Sequence, residues 1–201
     1  MIAAFIALIV CCFLIWKLPF YRQSGLSVRF LFAAFGVRVL AGMLYWYLYL
    51  YYPGWQGTSD AWIFFTDSAK LYAALPDHPL DFLQMITGIG DNHPYFEKYY
   101  SQMAYWQRAW DHGLFNDNRT MIRVNALLRL VSGGYYPVHI LIFGFLSFTG
   151  LLALYRLFSD FVSREPDIRK GKMINRQTLL KAGILFLPSV IFWGSGASKE
   201  A

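Results

Sequence analysis

Long runs of apolar residues without charge constrain this chain more than any other feature. Residues 30–52 and 137–158 each provide about the 20 mostly apolar residues that a helix needs to cross a bilayer, and residues 1–16 and 178–193 come close. Charged residues make up only 15% of the 201 residues, against about 25% in typical soluble domains. The pattern predicts an all-α, polytopic membrane protein with about four transmembrane helices.

The basic residues predict how these helices are oriented. Lys17, Arg22 and Arg29 follow the first run, and seven bases against three acids lie between residues 156 and 181, after the third run. Because cytoplasmic loops are enriched in Lys and Arg, we expect the N-terminus and the segment 53–134 to lie outside. This topology accounts for the net charge of +6 without a nucleic-acid partner, and membrane lipids are the expected surroundings.

The spans divide the chain into three predicted domains. Residues 1–52 form two transmembrane helices with a short cytoplasmic loop, and residues 135–201 form two more with a basic loop. Between them, residues 53–134 carry eight acids and six bases among recurring aromatic residues, which predicts a helical extracytoplasmic loop domain. Its predicted helices cover residues 60–75, 79–87, 95–110 and 118–131, from turn residues and apolar spacing.

Two acids of this loop domain are candidates for catalysis. Asp60 and Asp67 fall on one face of the predicted helix 60–75, just beyond an aromatic belt at the end of the second span. A carboxylate that is partly removed from water can act as a general base on a sugar hydroxyl. The alternative is that Asp60 caps the helix and Asp67 is a solvated surface acid.

Arginines of the loop domain are candidates for anion binding. Arg119 and Arg123 lie one turn apart on the predicted helix 118–131, and an adjacent stripe carries Asn118, Asn125 and Arg129. Two guanidinium groups near a bilayer suit a phosphate or diphosphate. Binding of ordinary lipid headgroups, or pairing with nearby acids, is the alternative.

The end of the chain offers a third candidate group. Gly194, Ser195 and Gly196 allow backbone amides to approach an anion, and Lys199 adds positive charge. Simple termination of a helix is the alternative. A small-residue turn is an unusual place for a chain to stop, so we expect this sequence to be the N-terminal part of a longer protein.

One arginine stands inside the second apolar run. Arg38 either extends its side chain to the cytoplasmic surface of the membrane, or contacts a lipid phosphate or a buried acid. The histidines have no zinc-ligand spacing. A divalent-cation site that joins Asp91 and His93 to Asp60 or Asp67 is an alternative, but nothing in the sequence indicates it, and no metal or other cofactor is predicted.

Four stretches carry a resemblance to known membrane proteins: SDAWIFFTDSAKLY, GIGDN, NDNRTMIRVNALLRLVSGGYY and LPSVIFWGSGASKEA. They are similar to a largely uncharacterised group of bacterial multi-pass proteins, and the layout resembles the GT-C glycosyltransferases, which use polyprenyl-phosphate-linked sugars. The resemblance implies an inverting sugar transfer to a glycan or protein acceptor at the outer face of the bacterial cytoplasmic membrane.

The resemblance also implies roles for the candidate residues. An acid of the outer loop would be the base, with Asp60 the first choice and Asp67 the second. Arg119, Arg123 and Lys199 would hold the lipid phosphate. A polymerase that joins lipid-linked repeat units is a related possibility. A non-enzymatic docking or structural component is the competing class, and it is favoured if the acids are spread over a solvated surface instead of converging in one cleft.

Overall fold

The computed structural model describes residues 1–107, 116–164 and 176–196, and for residues 163 and 164 it describes the backbone alone. Every regular element in these ranges is helical, and no strand occurs among them. The first three helices are α1 (Ile2–Lys17), α2 (Pro19–Arg22) and α3 (Val28–Tyr51). The next four are α4 (Asp60–Ala73), α5 (Pro79–Thr87), α6 (Glu97–Tyr100) and α7 (Asn118–Ser132), with a 3-10 turn at Pro94–Phe96 before α6. The chain continues with α8 (Tyr136–Arg164), α9 (Arg176–Leu185) and α10 (Pro188–Trp193).

The described residues divide into two compact units. One, which we call the polar unit, contains Trp46–His139 together with Met1–Ala4. The other, the long-helix unit, contains Phe5–Tyr45 and Ile140–Gly196.

Among the residues that the structure describes, two helices are long and apolar enough to cross a membrane, and most of each belongs to the long-helix unit. These candidate spans are Val28–Tyr51, with 24 residues, and Tyr136–Val162, with 27 residues. Large apolar side chains such as Leu40 and Leu154 are exposed on them. A core that includes Ile15, Phe35, Phe148 and Leu152 holds the unit together.

The described residues contain two helices of sufficient length, fewer than the four predicted. Helix α1 has 16 residues, and at a rise of 1.5 Å per residue it measures about 24 Å, less than the roughly 30 Å of a bilayer's hydrocarbon core. The fourth predicted span is split, because Pro188 cannot donate a backbone hydrogen bond and begins a separate helix. The result is α9 and α10 in place of one continuous span.

The polar unit is built around the pair α4 and α7. Phe64 and Leu71 of α4 are buried with Ile122 and Ala126 of α7 in one core, as the helical spacing of these residues predicts. Arg129 of α7 fastens the two helices, since its Nε donates to Ser68 Oγ at 2.8 Å and its Nη2 donates to the carbonyl of Phe65. Helices α4, α5 and α7 confirm three of the four helices predicted for this segment.

The fourth of these predictions, one helix over residues 95–110, is wrong. The chain forms only the short 3-10 turn and α6, and then turns through residue 107, where the described range ends. The reason is that backbone amides of this segment bind a side chain instead of helical carbonyls. The amides of Ala104 and Tyr105 donate to the carboxylate of Asp67, so they are not available to the carbonyls one turn back that a continuous helix requires.

Candidate functional site

Asp60, the first predicted catalytic residue, begins α4 and is exposed to solvent. Its Oδ1 accepts a hydrogen bond from the hydroxyl of Tyr105 at 3.2 Å. Ser59 occupies the N-cap position with an extended backbone, and its side chain makes no capping hydrogen bond. Asp60 is therefore an accessible carboxylate held at one oxygen by a tyrosine.

Asp67, the second predicted catalytic residue, has a different environment. It is only 5% exposed, and its two oxygens accept the backbone amides of Ala104 at 3.0 Å and Tyr105 at 2.8 Å. Burial raises the pKa of the Asp67 carboxyl, against the smaller lowering effect of the two amides. Asp67 is thus neither the solvated surface acid of the sequence alternative nor an open base, because its oxygens hold the backbone of residues 104–105.

Arg119, a predicted phosphate ligand, contacts Trp106, the residue after Tyr105. Its Nε donates to the carbonyl of Trp106 at 3.0 Å, and its guanidinium carbon lies 5.2 Å from the centroid of the Trp106 ring. The side chain is half-buried. Its two terminal nitrogens make no hydrogen bond to any part of the chain that the structure describes.

Arg123, the other predicted phosphate ligand on α7, is occupied by the protein. Its Nη2 donates to Asp91 Oδ2 at 2.6 Å, and its Nε donates to the carbonyl of Met85 at 2.7 Å. The side chains of Arg123 and Asp91 are 20% and 5% exposed. The hydroxyl of Tyr100 also donates to Asp91 at 3.3 Å, and burial with the Asp91 charge raises the pKa of this tyrosine. This buried pair ties α7 to the loop after α5.

All four described candidates therefore meet at residues 104–106, which we call the hub segment. Asp60 and Asp67 bind Tyr105, and Arg119 and Arg123 lie 5.2 and 5.3 Å from the Trp106 ring centroid. The Asn116 side-chain amide also donates to the backbone carbonyls of Tyr105 and Trp106. Of the four candidates, Asp60 is exposed and Arg119 is half-buried, whereas Asp67 and Asp91-bound Arg123 are engaged by the protein.

Lys199, the third predicted phosphate ligand, lies outside the described residues. The described turn before it includes Ser195, which is fully buried in the long-helix unit. A Cβ added at Gly42 of α3 would stand 2.6 Å from the carbonyl oxygen of Ser195. The glycines of this region thus allow a close approach of the turn to α3.

Sequence reasoning missed a buried hydrogen-bonded chain in the polar unit. The Asn125 amide donates to the carbonyl of Met121, so its Oδ1 accepts from His139 Nδ1 at 2.8 Å. The neutral imidazole then accepts at Nε2 from the hydroxyl of Ser132 at 2.9 Å. The order Ser–His–Asn is that of a nucleophilic triad, but the three side chains are at most 5% exposed, so a substrate cannot reach them. The spacing of Asn125 and Ser132 along one face of α7 was the available signal.

A polar pocket lies at the other end of α4. Its volume is about 260 Å³, and it is lined by Lys70, Ala73, Ala74, Asp77, His78, Tyr99 and Gln102. Lys70 is ten residues beyond Asp60, which places it about 15 Å further along the helix. None of the four predicted site residues that the structure describes lines this pocket.

No metal-binding group occurs among the described residues: no three His, Cys, Asp or Glu side chains are placed to share an ion. Asp91, which the sequence offered as a possible ligand, is instead paired with Arg123. No protein-family model, curated protein or solved structure matches the chain.

Proposed function

We propose that this chain belongs to a multi-pass membrane protein that transfers a sugar from a polyprenyl-phosphate carrier to a glycan or protein acceptor. The proposed location is the outer face of a bacterial cytoplasmic membrane, with the N-terminus and residues 53–134 outside and with α1 and α9–α10 as further membrane segments. One observation carries the proposal: an exposed acid, Asp60, and a half-buried arginine, Arg119, are both held by the hub segment.

The two groups match the two demands of a transfer reaction. The acceptor hydroxyl oxygen forms a bond to the anomeric carbon as the bond from that carbon to the phosphate oxygen breaks. Asp60 takes the proton of the hydroxyl as general base. The terminal nitrogens of Arg119 bind the phosphate oxygens and stabilise the negative charge that develops on the leaving group.

In this proposal Asp67 and Arg123 act through position. Asp67 fixes the backbone of the hub segment, and Arg123 supports the ring of Trp106. Both therefore keep Tyr105 and Trp106 in place for the two reacting groups. Lys199 remains a predicted third ligand of the lipid phosphate.

The test uses the full-length reading frame in membranes that contain polyprenyl-phosphate-linked sugars. Asp60→Asn should reduce the transfer rate by about 10²–10⁴-fold, the range expected for loss of a general base. Arg119→Gln should act mainly by raising KM for the lipid-linked donor. Asp160→Asn is the matched control, because Asp160 is an exposed acid of the long-helix unit, and it should leave transfer unchanged.

Equal insertion of all variants is checked first by their yield in the membrane fraction. If Asp60→Asn transfers sugar as fast as Asp160→Asn does, Asp60 is not the base. If the wild type transfers no sugar from any donor, the enzymatic proposal fails and the docking function below takes its place.

A second candidate function rests on the solvent-exposed face of α5. Phe82 and Met85 of this helix are buried, whereas Leu80 is 73% and Leu83 is 54% exposed. An exposed apolar face on a short amphipathic helix suits docking to a bilayer surface. A spin label at Leu83→Cys tests this, since a docked helix gives the label access to dissolved oxygen but not to a water-soluble nickel complex.

A further inference from the structure

The polar pocket at the end of α4 forms where the chain turns back after that helix. The amide of His78 donates to the carbonyl of Ala74 at 2.8 Å, and this turn brings Asp77 and His78 into the same pocket as Lys70. Ala73 and Ala74 also line it, and the pocket has a volume of about 260 Å³. This lies below the range of about 300–1,000 Å³ that takes drug-sized ligands, so the pocket suits a smaller molecule.

The segment around α6 supplies the other two lining residues, Tyr99 and Gln102. The phenol of Tyr99 donates to Asp81 Oδ2 at 2.9 Å, and Gln102 Nε2 donates to the carbonyl of Lys98 at 2.7 Å. Both side chains are therefore held in place by the protein. The phenolic oxygen of Tyr99 and Oε1 of Gln102 can each still accept a hydrogen bond.

The charged groups of this pocket, in contrast, have no partner. The side chains of Lys70, Asp77 and His78 make no hydrogen bond or ion pair with any part of the chain that the structure describes. Among residues 46–107, every other Asp, Glu, Lys and His side chain makes at least one hydrogen bond. The unpaired groups of this long stretch thus all line one pocket, as expected where a ligand supplies the missing partners.

The signs of the charges select the class of ligand. Lys70 and Asp77 are oppositely charged, and they do not pair with each other. An anion that binds Lys70 would be repelled by Asp77, and a cation that binds Asp77 would be repelled by Lys70. A molecule that carries both charges satisfies the two residues together.

We infer that this pocket binds a small zwitterion with a primary ammonium group and an acid group. Asp77 accepts from the ammonium group, and Lys70 donates to the oxygens of the acid group. The ammonium group has three donors, so the oxygens of Tyr99 and Gln102 can accept the remaining two. A free amino acid and the ethanolamine phosphodiester head of a lipid share this chemistry. The site does not depend on the proposed sugar transfer.

The experiment follows the imidazole signals of the full chain by NMR, with ¹³C-labelled histidine in neutral detergent, while serine is added at constant pH. The chain has four histidines, so His78→Gln assigns the signal of His78. Acetate and ethylammonium are the probes that carry one charge each. Serine should shift the His78 signal to saturation, at concentrations where neither single-charge probe shifts it. The signal of His93, which does not line the pocket, should stay in place.

Variants of the two charged residues locate the effect. Lys70→Gln and Asp77→Asn should each weaken serine binding by about tenfold, as expected for loss of one hydrogen bond to a charged group. Both side chains are exposed, so the fold should be retained. Lys17→Gln and Asp160→Asn are the matched controls, because these residues are exposed in the long-helix unit, and both should bind serine as the wild type does.

The variants should also change which probe is preferred. Lys70→Gln removes the repulsion of cations, so ethylammonium should bind it about as well as serine does. Asp77→Asn removes the repulsion of anions, so acetate should bind it about as well as serine does. A general loss of structure would not produce these opposite preferences.

Glycerophosphoethanolamine, a soluble lipid headgroup, identifies the source of the zwitterion. Tighter binding of this probe than of serine points to a lipid, and the reverse order points to a free amino acid. The inference is overturned if neither zwitterion shifts the His78 signal, or if acetate or ethylammonium shifts it equally in the wild type. Unchanged serine affinity in Lys70→Gln or in Asp77→Asn would overturn it as well.

Discussion

Arg119 and Arg123 are equivalent in the sequence, four residues apart on one helix, but the structure predicts very different costs for replacing them. Arg123→Met breaks a 2.6 Å ion pair and leaves Asp91 buried at 5% exposure. Breaking a buried pair costs about 3–5 kcal/mol. Because Arg123 itself is 20% exposed, we expect the lower end, about 3 kcal/mol of unfolding free energy.

Arg119→Met should cost much less. It removes one hydrogen bond to a backbone carbonyl and one contact with the Trp106 ring. The side chain is half-buried and no acid pairs with it among the described residues, so the expected loss is about 1 kcal/mol. The two variants therefore separate an arginine in a buried ion pair from one without a described acidic partner.

The assay is denaturant unfolding in neutral detergent, followed by tryptophan fluorescence, since the Trp106 ring contacts both arginines. A double-mutant cycle with Asp91→Asn isolates the pair, and we expect a coupling energy of about 2 kcal/mol. If Arg123→Met is no more destabilising than Arg119→Met, or if the cycle shows no coupling, the Arg123–Asp91 pair does not stabilise the fold as expected.

Three further predictions follow from the polar unit. Asp67→Asn should lower stability by about 1–3 kcal/mol near neutral pH, because an amide oxygen cannot replace both carboxylate oxygens. Burial raises the pKa of Asp67, so the folded state binds the carboxyl proton more tightly than the unfolded state does. Protonation of Asp67 therefore contributes stability that is fully present below the unfolded pKa and is lost as pH rises through the folded pKa. The difference between wild-type and Asp67→Asn stability, measured across that window, should decrease as pH rises. Gly134→Ala should cost more than Gly133→Ala, although both have positive φ, because only the Cβ at Gly134 would meet a guanidinium nitrogen, at 2.7 Å; equal melting points would contradict this. Asn125→Leu should cost about 1–3 kcal/mol by leaving the Nδ1–H of His139 unpaired, and amide hydrogen exchange in α7 should rise with it.

The helical architecture could be predicted from the sequence because its signals are local. Apolar runs predicted the two long helices, and turn residues with helical spacing predicted α4, α5 and α7. Burial of Phe64 and Leu71 follows from the same spacing. Each of these features depends on residues within a few turns of one another, so one sequence is enough to reveal them.

The burial and the hydrogen-bond partners of each charged residue were decided by the tertiary structure. Asp60 and Asp67 have the same side chain, yet one is exposed and the other holds the backbone of residues 104–105, more than 35 positions away. The same contact ended the predicted helix 95–110, because its backbone donors found a distant acceptor. Arg38 lies inside an apolar run, but its burial beside Ser147 depends on the packing of α3 against α8. Charges are stabilised by whichever partners the fold brings near, and those partners are far apart in the chain.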